Sequence, residues 1–449
     1  MRRAAGAVAL WLGCAGQARA HATEQGFVLL LPTDLFIAAG GAVVALTILM
    51  LALLPGRLAR APFRPRSLWR RRSPGPWPGL AVAALLLWLI WQGWIGSRDP
   101  LGNPLSLSVW VVFWMGLVSA QGLLGDLWSR LDPFPALARL VPHRRPPLRY
   151  PRRWGHWPAA LGFLAFAGFL LADPAPADPA RLSVAVAGYG LVTLGALALF
   201  GPRWLRRGEM LGVFLHAYAR TGVFGRRGPR RALGLPGWQV LHGPRPSPGL
   251  AVLMLLLLGS GSFDGLNETF WWLALIGTNP LEFPGRSAVV AVNLAGLLLT
   301  NAALLAVFAG ALALGARLAR DATRTRDLVL RYAPTLLPIA LAYHIAHYLP
   351  SLLLDGQYVL AGIAEALHLG HHHVTAGFLN SPGPVRAIWL TQAGAVVAGH
   401  VLALLLAHAI ALKAGQSVRR AALGQAPLAL FMLGYTVFGL WLLATPRGA

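Results

Sequence analysis

Residues 341–373 read LAYHIAHYLPSLLLDGQYVLAGIAEALHLGHHH. The stretch opens inside an apolar run of membrane-spanning length and carries His344 and His347 within it. Asp355 follows, then His368 and the run His371, His372, His373. Ionisable groups inside a bilayer are costly and usually face the interior of a helix bundle. The stretch therefore predicts both a membrane span and a functional site inside it.

The rest of the chain agrees with the first half of that reading. Hydrophobic residues make up 56% of the 449 positions and charged residues 12%, a balance that excludes an ordinary soluble domain and suits a polytopic membrane protein. Apolar runs recur at roughly 35–54, 79–97, 107–125, 156–173, 182–202, 249–267, 288–316, 328–354, 387–412 and 426–444. Only helices and closed barrels satisfy the backbone in lipid, and these runs are too long and too uniformly apolar for barrel strands. The expected fold is an all-α polytopic transmembrane bundle of about ten spans, a single multi-span membrane domain over residues 21–449. The formal charge of +24 would suggest nucleic acid in a soluble chain. Here 31 of the 39 Lys and Arg residues fall in loops 55–78, 126–155, 203–248, 317–331 and 413–420. That asymmetry predicts five cytoplasmic loops in a bacterial inner membrane, with the lipid bilayer and no nucleic acid as partner. Trp69, Trp77, Trp94, Trp154, Trp157 and Trp204 sit near span ends as interfacial anchors. Residues 208–219, GEMLGVFLHAYA, can lie along the membrane surface as an amphipathic helix or belong to a solvated basic loop.

Residues 1–20 combine Arg2 and Arg3, an apolar stretch and the small-x-small sequence Ala18-Arg19-Ala20, and read as a cleaved signal peptide. Trp11 stands where a lipoprotein signal carries a small aliphatic residue, which weakens Cys14 as an acylation site. Cleavage after Ala20 makes His21 the mature N-terminus, where amine and imidazole together chelate copper; an accident of the cleavage site is the plainer account. With ten spans and an exported start, both mature termini face outside. Cys14 is the only cysteine, so the mature chain has no thiolate ligand and no CxxCH haem attachment.

Residues three apart share a helix face, so His344 and His347 can point the same way, as two metal ligands or two relay groups must. With the outer boundary near Asp355, they lie roughly 12–16 Å deep, and His400 in the ninth span roughly 20 Å from the same side. Pro334 and Pro338 interrupt the eighth span just before His344 and free backbone carbonyls. The sixth span ends in GSGSFDGLNET, placing Asp264 and Glu268 at the outer face, where Asp264 is either a ligand or a helix cap. The candidate metal set is therefore His344, His347, His400, Asp355, Asp264, Glu268, His368, His371 and His21. Three successive histidines cannot all converge on one ion, so His371 stands for its run.

Several stretches resemble a family of bacterial polytopic membrane proteins labelled fenitrothion hydrolase: HATEQGFVLLLPTDLF, GDLWSRLDPF, WPAALGFLAF, FGPRWLRRGE, SFDGLNET, NPLEFPGRSAV, AYHIAHYLPSLLLDGQY, GHVLALLLAH and GYTVFGLWLL. Together they cover most of the chain in order. The resemblance implies a multi-span inner-membrane fold and hydrolysis of an organophosphate ester, and carries no catalytic assignment. This chain has LDPF where the family pattern is LNPW.

The residues themselves point first to an outward-facing His/carboxylate site for copper or zinc, used in metal handling, redox chemistry or enzyme assembly, with other membrane subunits or periplasmic redox proteins as partners. Haem with histidine axial ligands uses the same residues. The competing reading is a proton-coupled transporter relaying through His344, His347 and His400. A metal-dependent hydrolase is the enzyme version, and no HExxH, GxSxG or P-loop motif accompanies it.

Overall fold

The computed structural model describes residues 28, 31–53, 58, 60–70, 75–140, 146–282, 285–370 and 372–446. The expected signal peptide, Cys14, His21 and His371 lie outside the described residues.

The chain is a multi-pass helical membrane protein. Its long helices are α1 Thr33–Leu53, α2 Trp77–Ile95, α3 Pro104–Leu124, α4 Trp157–Ala172, α5 Pro179–Phe200, α6 Met210–Ala219, α7 Pro248–Leu266, α8 Val290–Leu318, α9 Thr325–Tyr332, α10 Leu337–Ala366, α11 Pro382–Lys413 and α12 Val418–Ala444. Among the described residues, nine spans are long and apolar enough to cross a membrane, with α9 and α10 counted as one. The tenth expected span, 156–173, is α4, a helix of 16 residues. At about 1.5 Å per residue it reaches roughly 24 Å, short of a bilayer's hydrocarbon core of about 30 Å. Its Ala159, Ala160, Phe163 and Ala167 are buried, and it packs along α7.

The core is organised on α7, α10 and α11. Helix α7 packs against α4, α8 and α10, while α10 packs against α11 and α3. Outer helices such as α1, α2 and α5 present Leu, Val and Trp side chains outward, as lipid-facing surfaces require.

Helix starts follow local chemistry. Ser247 caps α7 and Asp178 caps α5 through side-chain oxygens that accept backbone N–H groups, each followed by proline in the first turn. The interruption expected at Pro334 and Pro338 is present: α9 ends at Tyr332, Ala333–Leu336 tightens into a 3₁₀ turn, and α10 begins with Pro338 in its first turn. Helix α10 then runs on to Ala366, so Asp355 lies within it, about three turns before its end. Pro350 is carried inside the helix without ending it.

Two loop regions depart from expectation. Met210–Ala219 does not lie on the surface: Val213, Phe214, Leu215 and Tyr218 are buried in the bundle. The helix lacks a continuous polar face, so burial satisfies it better than an interface does. The arginine-rich segment after it forms an antiparallel hairpin, β2 Phe224–Arg227 and β3 Arg230–Leu233, and β1 Arg66–Arg70 pairs with β3 to complete a three-stranded sheet. The sheet joins loops 55–78 and 203–248. Lys413 donates to the Leu241 carbonyl at 2.7 Å, bringing loop 413–420 to the same face. The opposite connections are tied to each other likewise: Arg286 donates to the carbonyls of Leu170 and Asp173, and Arg181 pairs with Asp173 at 2.6 Å.

Candidate functional site: a His, Asp and Tyr cavity between α3, α7 and α10

One helix face supplies most of the site's polar side chains. Ala340, Tyr343, His344, His347 and Tyr348 recur on α10 at the three- and four-residue spacing that lines up one stripe, and together they wall a cavity of about 30 Å³. That is room for about one or two waters. Asp264, Ser260 and Gly261 of α7, Trp114 of α3, Tyr218 of α6 and a phenylalanine-rich face of α4 complete the lining.

Gly265, next to Asp264, allows the close approach of Tyr343. A Cβ there would overlap the Tyr343 hydroxyl, so any larger residue displaces the end of that ring.

Asp264 is the chemical centre. His347 Nε2 lies 3.3 Å from Asp264 Oδ2, and the Tyr348 hydroxyl donates to the same oxygen at 2.5 Å. The His347 and Asp264 side chains are only 8% and 16% exposed. A carboxylate so withdrawn from water needs compensating donors, and both donors here are themselves titratable. Asp264 sits in the last turn of α7, where no free backbone N–H awaits a cap. The cap of the following short helix, Phe270–Leu275, is Thr269, whose hydroxyl accepts from Trp272 N. Of the two roles open to Asp264, capping is therefore taken by another residue.

His344 is held differently. Its Nε2 lies 2.9 Å from the Trp114 carbonyl; a carbonyl only accepts, so Nε2 carries the proton and Nδ1 the lone pair. Residues Leu107–Leu117 of α3 are wound as a π-helix, and the Val118 N–H bonds back five residues to Phe113. A return to α winding passes over one carbonyl, and at that step the Trp114 carbonyl takes the His344 N–H instead. Such π segments are frequent at functional sites. The His344 ring stands edge-on to Trp114, with centroids 5.0 Å apart, and 4.9 Å from Tyr348.

The remaining expected residues do not join this cavity. His400 donates Nδ1–H to the Val396 carbonyl at 2.9 Å, and its buried Nε2 has no hydrogen-bond partner among the described residues. It faces Tyr435, whose hydroxyl bonds to Ser262 of α7 at 2.5 Å, so α11 meets the same helix through a separate polar contact. Glu268 is exposed in the turn after α7, Asp355 is half-buried farther along α10, and His368, His372 and His373 are exposed beyond its end. His21 and His371 lie outside the described residues. Among the described residues, no group of three or more His, Cys, Asp or Glu side chains converges as a metal site.

Tyr348, Tyr343 and Tyr218 belong to the lining although the histidine pattern did not single them out. The first was legible, since it stands four residues after His344 on the same face. Trp114 acts through its backbone, which no side-chain pattern signals. No protein-family model, curated protein or solved structure matches the chain.

Proposed function

We propose that the chain is a proton-coupled transporter of the bacterial inner membrane, with Asp264, His347 and Tyr348 as its proton site. The observation that carries this is the convergence of two titratable groups on one carboxylate oxygen beside a small cavity. Intramembrane ionisable groups of this kind are typical of proton relays. With His347 protonated and Asp264 ionised, the pair is an ion pair; with the proton on Asp264, both are neutral. The two arrangements differ by one short proton shift, and water fits beside them. His344, fixed by the Trp114 carbonyl, presents Nδ1 as an acceptor.

In this reading the sheet and the arginine-rich loops face the cytoplasm, the leader is removed after Ala20, and both mature termini lie outside. A copper or zinc ion entering the cavity would meet the Asp264 carboxylate and the imidazoles of His344 and His347, which do not converge as a three-ligand group among the described residues. Membrane subunits and periplasmic redox proteins become partners only under that alternative.

The test is infrared difference spectroscopy of the purified protein across pH, with metal analysis on the same preparation. A titrating carboxyl band that disappears in Asp264→Asn and moves in Tyr348→Phe is the expected result. A spectrum unchanged by Asp264→Asn overturns the proton site. Stoichiometric copper or zinc that is lost in Asp264→Asn would reassign the cavity to metal handling.

A further inference from the structure

A second and larger cavity, about 220 Å³, opens on the face that carries the sheet. Its walls come from the C-terminal turn of α11, the α9 turn that precedes the 3₁₀ break, the end of α6 and residues 240–246. Four of its lining side chains are cations, Arg220, Arg245, Arg331 and Lys413, and none of its lining residues is a carboxylate.

Among the described residues, none of the four forms a salt bridge with a carboxylate. Lys413 and Arg220 donate to backbone carbonyls, of Leu241 at 2.7 Å and Pro244 at 3.4 Å, which fixes the loop wall without supplying a counter-charge. Burial lowers the Arg220 guanidinium to about 10, the mark of a cation held out of water without a counter-charge. Arg331 Nε is buried and has no hydrogen-bond acceptor among the described residues. The acid nearest in chemistry, Asp321, feels Arg331 but is engaged by Thr323 and by Gln416 at 3.1 Å, and lies outside the lining. Like charges gathered in a concave site without an acid favour a multiply charged anion, and guanidinium forks match the oxygens of phosphate. The cavity lies at the ends of spanning helices, the level at which basic pockets meet lipid headgroups.

We infer that this cavity binds a phosphate group, carried either by an acidic phospholipid headgroup or by a soluble phosphate. The site is independent of the proton relay.

The test uses the full chain in neutral detergent and follows the unfolding midpoint. Inorganic phosphate and short-chain phosphatidylglycerol are titrated separately, with sodium chloride at matched ionic strength as control. A saturable rise with phosphate identifies a soluble anion, and one with phosphatidylglycerol alone identifies a lipid headgroup; either supports the site. Arg245→Gln/Arg331→Gln weakens the apparent affinity roughly tenfold or more, as expected for losing charged hydrogen bonds. Arg245→Gln alone, at an exposed side chain, keeps the test available if the double variant does not fold. No saturable rise with either ligand, a rise reproduced by sodium chloride, or an affinity unchanged in the variants overturns the assignment.

Discussion

Two carboxylates withdrawn from water in this protein each receive a tyrosine hydroxyl, and their other partners differ in kind. Part-buried Asp264 accepts from the Tyr348 hydroxyl and pairs with the His347 imidazole. Glu209, 1% exposed at the start of α6, receives the Tyr189 hydroxyl together with the N–H groups of Leu211 at 2.8 Å and Gly212 at 2.6 Å. Backbone N–H groups at a helix start cannot give up their protons, so Glu209 is a cap locked in place. Side-chain donors can exchange theirs. Under the proposed relay, the same functional group is an anchor in one place and a proton carrier in the other, according to what donates to it.

Substitution separates the two most sharply by function. In liposomes containing a pH-sensitive dye, Asp264→Asn lowers proton flux under an imposed gradient on the order of a hundredfold, the scale of losing a positioned acid or base, while the unfolding midpoint changes little. Glu209→Ala shows the reverse pattern. It removes the cap and strands two buried N–H groups, destabilising the fold by about 2–4 kcal/mol, with flux per folded molecule retained. Flux lost in both variants alike would erase the distinction.

Asp132 sharpens the comparison through pH. It caps the short helix Pro133–Ala138 by accepting from Phe134 N. Burial, and then the neighbouring Glu209 charge, raise its carboxyl from 3.8 to about 7. A carboxyl raised on folding contributes stability that is fully present below pH 4 and is lost as pH rises through about 7. Asp132→Asn, which can still accept from Phe134, should flatten that loss by about 1–2 kcal/mol after allowance for solvent screening. Unfolding midpoints of both proteins at pH 4 and pH 8 measure it; parallel pH curves would show that folding does not raise the Asp132 carboxyl.

How much of this was legible depended on whether the signal lay in side chains or in backbone. The spans were, because length and apolar content alone decide a helix in lipid. The exception is α4, whose run looked long enough until its helix ended at Ala172. The break before His344 followed from Pro334 and Pro338, and the shared face of His344 and His347 from their spacing. In the densest histidine stretch His368, His372 and His373 are exposed, whereas the histidines that line the cavity are the isolated pair inside an apolar run. The spacing sets an expected depth for His400, but depth fixes no direction around a helix axis, and the ring faces Tyr435. The sheet escaped notice because its strands are arginine-rich and short, and β1 pairs with β3 across more than 150 residues of chain. The π winding of Leu107–Leu117 leaves no mark in composition.

The smallest effect probes the tyrosines themselves. Tyr189→Phe removes one of three donors to Glu209; the Leu211 and Gly212 N–H groups remain, and the loss should be about 1 kcal/mol of stability with flux unaltered. Tyr348→Phe removes the hydroxyl from a carboxylate oxygen that it shares with His347. If that oxygen is a station for the proton, as proposed, the change appears in flux, about fivefold lower, equivalent to ~1 kcal/mol, with the unfolding midpoint close to wild type. The ring contacts of Tyr348 with His344 and His347, at 4.9 and 4.8 Å, survive in phenylalanine, so packing is held constant and only the hydroxyl is tested. If Tyr348→Phe instead lowers stability and leaves flux intact, Asp264 is an anchor like Glu209, and the contrast between side-chain and backbone donors fails at the residue where it matters most.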